Sequence, residues 1–224
     1  MLTPVGENQI FASILSDGNI HITVPEETEG AVLRKYKTSD GKEGQKWERV
    51  YKDLVGKITK INFRDGDFGT SLQITVTDKE EVPVTLSMPV ASNYAEDIMK
   101  KLPNVNLEKL VKLAPYSFKD DKGKSKKGIT VWQYSEETNK NEKITNYYYD
   151  EVAKKNIHGY PEPKKTKKPL TKDQWKLYFA ECRQFLVEET TERFGIEEQK
   201  SDADKDFDLL IEDALPSKDE EGQW

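Results

Sequence analysis

A glycine set inside an otherwise unbroken β-type run constrains this chain most. Residues 45–63, QKWERVYKDLVGKITKINF, favour strand throughout, with Gly56 inside them. A glycine in a strand interior marks a bulge or a sharp bend. The run therefore predicts one long, bent strand that can serve two parts of a sheet. Arg64-Asp65-Gly66-Asp67 then turns the chain. Leu72, Ile74 and Val76 alternate with polar neighbours, and after a turn at 78–81 so do Val82, Val84, Leu86 and Met88. This period of two predicts half-buried strands. Pro83 lacks an N–H, so its strand is expected near an edge or paired on one side there.

A helix follows, capped by Ser92 or Asn93, with Tyr94, Ile98, Met99 and Leu102 on one face and Pro103 as its stop. Residues 109–118 read as a strand interrupted by Pro115, residues 120–127 as a lysine-rich loop, and residues 128–134 as the last clear strand. The order is bent strand, strand, strand, helix, strand, strand. It predicts a mainly β protein whose centre is an OB-fold-like five-stranded barrel. Ahead of it, QIFASIL and NIHITV joined by Ser16-Asp17-Gly18 read as an N-terminal β-hairpin.

The expected organisation is a β extension over 1–40, the barrel over 41–150, a basic linker over 151–170, a helix over 171–195 and an acidic tail over 196–224. Thr171 can cap that helix, and Gly195 ends it. Its stripe of Trp175, Tyr178, Phe179, Cys182, Phe185 and Leu186 predicts packing against the barrel or another subunit. A homo-oligomer is thus left open.

Charge is sorted along the chain, which the net value of −6 conceals. Residues 31–176 hold 30 bases and 21 acids, whereas residues 195–224 hold three bases and 11 acids. A basic body attracts polyanions; an acidic end repels them and can cover the same surface in their absence. No run approaches the ~20 apolar residues that span a bilayer. The N-terminus has no basic start or long apolar run, so no secretory signal and no membrane partner is expected. The single cysteine, Cys182, allows no intramolecular disulfide and fits a cytoplasmic location.

Nothing points to catalysis. His21 and His158 fall on different segments, no Cys/His spacing suggests zinc, and no glycine-rich phosphate loop is present. Asp65 and Asp67 read as turn residues rather than metal ligands. No enzyme activity, cofactor or metal is expected.

Aromatics interleaved with bases carry the positive case. Unpaired nucleic acid exposes flat bases, and rings stack on them whatever the sequence; lysine and arginine neutralise the backbone. Thr130, Trp132 and Tyr134 alternate with Ile129 and Val131, just after Lys124, Lys126 and Lys127. With Val131 in the core, Trp132 and Tyr134 face outward. Trp47, Arg49 and Tyr51 share one face of the first long strand, opposite Val50, which is expected in the core. Phe63, Arg64 and Phe68 flank the first turn, and Tyr116 and Phe118 lead into the lysine loop. The expected single-stranded DNA site is thus Trp47, Arg49, Tyr51, Arg64, Phe68, Tyr116, Phe118, Lys124, Lys126, Lys127, Trp132 and Tyr134.

In combining this strand order with an acidic end, Lys218-Asp219-Glu220-Glu221-Gly222-Gln223-Trp224, the chain resembles the single-stranded DNA-binding proteins of tailed bacteriophages. Related tails end in phenylalanine, where Trp224 stands here. The resemblance implies coating of single-stranded DNA in phage replication and recombination, in the host cytoplasm. It also implies a tail displaced by DNA that recruits replication and recombination proteins through Asp219, Glu220, Glu221 and Trp224. The rival readings are a protein- or carbohydrate-binding β module, a metal-dependent nuclease, and an anti-host protein that mimics DNA with its acids.

Overall fold

The computed structural model describes residues 10–37, 41–66, 69–164 and 169–196. Phe68, Asp67 and the tail residues Asp219, Glu220, Glu221 and Trp224 lie outside the described residues.

The protein is mainly β. Its strands are β1 (Ile10–Ile14), β2 (Ile20–Thr23), β3 (Val32–Lys37), β4 (Glu43–Tyr51), β5 (Leu54–Arg64), β6 (Ser71–Thr77) and β7 (Pro83–Pro89). After helix α1 (Asn93–Met99) come β8 (Val111–Lys119), β9 (Ser125–Ser135), β10 (Lys140–Lys143) and the short pair β11 (Tyr149–Asp150) and β12 (Lys155–Asn156). Helix α2 (Lys172–Phe194) follows. Ten strands form one sheet in the order β10-β9-β8-β5-β6-β7-β1-β2-β4-β3.

The long run does bend between two partners, although as two strands rather than one: residues 52–53 separate β4 from β5. Within β5, Leu54–Gly56 pair with β8, and from Lys57 onward the strand pairs with β6. Gly56 sits at the handover, where a Cβ would strike the Thr77 carbonyl. A register shift between Ile58 and Lys60 adds the bulge. Pro83 pairs only with Thr77; among the described residues the β1 ladder on the other side of β7 starts at Val84.

The expected five-stranded barrel is not closed. Among the described residues no ladder joins β7 to β9. β1 instead takes the β7 edge in parallel, β10 takes the β9 edge from Trp132 to Ser135, and side chains from α1 and the turn after it reach Ile129 further along that edge. Asp97 Oδ2 accepts from the Ile129 N–H at 2.7 Å, and Lys101 Nζ donates to the Ile129 carbonyl at 2.6 Å. These bonds satisfy buried backbone groups that a neighbouring strand would otherwise serve. The turn of the β1–β2 hairpin comes round to the other side: Gly18 at φ +80° lies so close to Tyr116 and Ser117 of β8 that no Cβ fits. The Tyr94 hydroxyl donates to the Leu15 carbonyl at 3.2 Å, tying that turn to α1.

One face of the sheet carries the core. Leu72, Ile74, Val76, Leu86 and Met88 are fully buried with Ile98, Met99, Leu113, Ile129 and Val131. Ser92 caps α1 by accepting from the Ala95 N–H, as expected. Thr171 and Gln174 form a reciprocal capping box on α2, and Gly195 ends it in the left-handed region. Cys182 and Leu186 are buried, and Phe185 packs edge-on against Tyr148 and Tyr160. The first turns of α2 stand clear: Trp175 and Phe179 are exposed and stack on each other at 5.6 Å. No helix among the described residues is long and apolar enough to cross a membrane.

Candidate nucleic-acid interface

Opposed residues in a ladder project to the same face, so register sorts the side chains. The core face of β8 and β9 carries Leu113 against Val131 and Pro115 against Ile129. The other face carries Lys112 against Trp132, Ala114 against Thr130, Tyr116 against Gly128 and Phe118 against Lys126. Pro115 fits its place because the β5 ladder covers only Val111–Leu113, so its missing N–H costs no bond.

Across four strands the outer face forms one row. Lys143 on β10 opposes Trp132, Trp132 opposes Lys112, and Lys112 opposes Val55 on β5. Neighbouring strands lie ~4.8 Å apart, so the Trp132 position stands between two lysine positions on the adjacent strands. Along β9 the row continues to Tyr134, 44% exposed, whose hydroxyl donates to Asn139. In the other direction lies Phe118, 55% exposed, with its ring 5.7 Å from that of Tyr116. From Lys126 to Tyr134 the strip runs ~26 Å at ~3.3 Å per residue.

Tyr116 is less available than its neighbours. Its ring folds over Gly128, where a Cβ would meet its hydroxyl. Burial, with Asp97 and Tyr94 nearby, raises its pKa.

Residues 109–143 hold nine lysines and five acids. Lys112 pairs with Asp53 at 2.8 Å, Lys109 with Glu136 at 3.2 Å and Lys126 with Asp120 at 4.0 Å. Such exposed pairs are worth little and yield readily to a phosphate. Lys124 and Lys127 have no acidic partner among the described residues.

The other expected residues fall elsewhere. Trp47, Arg49 and Tyr51 do share a face, the one whose partners on β2 are Ile22 and Ile20; Trp47 and Arg49 are half-buried there and Tyr51 is 40% exposed. Val50, expected in the core, is 42% exposed. On its side of β4 the buried residue is Glu48, 1% exposed and held by charge rather than by apolar packing. Arg49 is already engaged, donating to the Glu29 carbonyl at 2.7 and 3.0 Å. In ladder order β4 is separated from β8 by five strands. Arg64 is exposed on the outer face but opposes Ser71, at the end of β5 remote from its β8 ladder. Phe63 lies on the inner face against Leu72. Asp65 accepts from the Thr70 hydroxyl at 2.6 Å and serves the turn. Among the described residues no group of three His, Cys, Asp or Glu side chains is placed to hold a metal.

Two members of the row escaped sequence reasoning. Lys112 has the same parity as Tyr116 and Phe118, so the signal was present. Lys143 depends on β10, whose KNEK sequence carries no strand pattern.

Comparison with known proteins finds no matching family model, no matching curated protein and no matching solved structure.

Proposed function

We propose that the chain binds single-stranded DNA without sequence preference. Bases stack on Trp132, Tyr134 and Phe118, and the backbone is neutralised by Lys112, Lys126, Lys127, Lys143 and the Lys124 loop. The observation that carries this reading is the row Lys143–Trp132–Lys112: an aromatic position with a lysine opposite it on each neighbouring strand, on the face turned away from the core. Stacking takes any base, and phosphate contacts take any sequence, so such a surface needs no base-edge readout. On this reading β5–β9 with α1 act as an open, OB-type module.

The tail belongs to the same proposal. With 11 acids against three bases over residues 195–224, it can compete for the lysine strip until DNA displaces it. Freed, Asp219, Glu220, Glu221 and Trp224 recruit replication and recombination proteins, as in the phage proteins that the chain resembles.

The test is a titration of labelled oligo-dT at two salt concentrations, with full-length protein and protein lacking residues 197–224. Affinity should fall steeply with salt, at about 0.7 log units per log unit of salt for each neutralised phosphate, and tail removal should tighten binding most at low salt. Salt-independent or absent binding defeats the reading. Breakdown of the oligonucleotide in magnesium would favour the nuclease instead.

A further inference from the structure

The outer face does not end at β5. Lys60, Thr75, Thr85 and Phe11 form a second in-register row across β5, β6, β7 and β1, exposed at its Lys60 and Phe11 ends and buried at Thr75 and Thr85, whose hydroxyls bond at 2.8 Å. Beyond it, on the outer face of β1, β2 and β4, lies a cavity of about 580 Å³ whose walls include Phe11, Ser13, His21, Lys46 and Glu48. Phe11 is 52% exposed, an unusual place for a phenylalanine inside a ladder.

Beside this cavity stands an arginine held in place from below. The buried Glu48 carboxylate accepts from Arg34 Nε at 2.8 Å and pairs with Lys46 Nζ at 3.0 Å and His21 Nδ1 at 2.9 Å. Arg34 in turn sits 5.2 Å from the centre of the Tyr36 ring, and Tyr36 lies flat over Gly44, where a Cβ would collide with it. With Nε committed to Glu48, the two terminal nitrogens have no acceptor among the described residues, and the side chain is 31% exposed. A guanidinium fixed at Nε and open at its far edge presents parallel N–H groups that match two phosphate oxygens. Residues 32–49 carry six bases against three acids.

We propose that this face is a second binding site, which holds a further segment of the same single strand. Arg34 takes a phosphate, Lys46 supplies a second cation, and Phe11 and Tyr36 receive bases. Glu48 and His21 are positioning residues. The site rests on the proposed function and extends it: one strand long enough to reach both sites engages Trp132 on β9 and Tyr36 on β3 together.

Two oligonucleotides separate the two ideas. In the full-length protein, Phe11→Ala/Tyr36→Ala and Arg34→Ala should weaken binding of a long oligo-dT of about 30 nucleotides at least about fivefold, the lower end for one lost stack. A short one of about eight nucleotides should be bound within twofold of the wild type. In the wild type, photo-crosslinking of bromodeoxyuridine oligonucleotides should mark peptides with Phe11 or Tyr36 for the long strand. Unchanged affinity for the long strand, equal loss at both lengths, or no crosslink at either peptide would overturn the second site. If the wild type binds neither oligonucleotide at low salt, the proposed function itself fails.

Discussion

Glu48 is a carboxylate sunk in a β-sheet yet kept ionised. Burial alone would raise its pKa; hydrogen bonds from Arg34, Lys46 and His21 outweigh that and hold it at about 2, against 4.5 for a free glutamate. In the unfolded chain the group titrates near 4.5. Its ionised form therefore stabilises the fold fully above that pH, and the contribution is lost as pH falls from about 4.5 towards about 2. The melting temperature should drop across that window, and Glu48→Gln should flatten the drop. At neutral pH the same variant should cost somewhat less than the roughly 3–5 kcal/mol typical of a broken, fully buried pair, because Arg34 and Lys46 remain partly exposed. Trp132→Ala should cost about 1–3 kcal/mol of oligo-dT affinity and leave the melting temperature nearly unchanged; equal affinities would remove that indole from the interface. Sequence alternation placed Trp132 and Tyr134 correctly because Val131 is apolar and buried. It reversed β4 because Glu48, the buried residue there, looks like a surface residue. Hydropathy cannot register a carboxylate whose burial is offset by an arginine fourteen positions away.

At the scale of elements, the hydrogen bonds between α1 and β9 do the work expected of a strand pair. Asp97→Ala would strand the Ile129 N–H and leave Lys101, itself buried, without its carboxylate. The cost should be about 1–3 kcal/mol, read by denaturant unfolding; a smaller loss would mean that the β9 edge finds another partner. The order of strands and helix from β5 to β9 was legible because the strands alternate and the turns have their own residues, whereas the break between β4 and β5 was not. Both helices were legible from their caps. The connection that decides between a closed barrel and an open sheet was not. It depends on two side chains, Asp97 and Lys101, whose i, i+4 spacing looks like an ordinary surface ion pair.

For the whole molecule, charge and the meeting of the N-terminal hairpin with β8 are the two organising facts. The sorting of acids and bases was plain from the sequence, and it underlies the expected gain in affinity on tail removal. That meeting was hidden, since no local pattern says that the tip of an N-terminal hairpin reaches the end of β8. Gly18 is where that meeting is tightest. Gly18→Val meets two penalties: a φ of +80° that branched residues avoid and a Cβ with nowhere to go against β8. It should destabilise the protein by more than the ~1 kcal/mol of an ordinary glycine replacement, with the hairpin shifted off β8; a melting curve that matches the wild type would show that the contact is dispensable.

A seam held by two stitches yields for less than one sewn along its length. Parting Asp97 and Lys101 from Ile129 breaks two side-chain bonds, whereas separating β5 from β6 undoes a ladder from Lys57 to Arg64. Of these two seams, the one at Ile129 is the more lightly bonded.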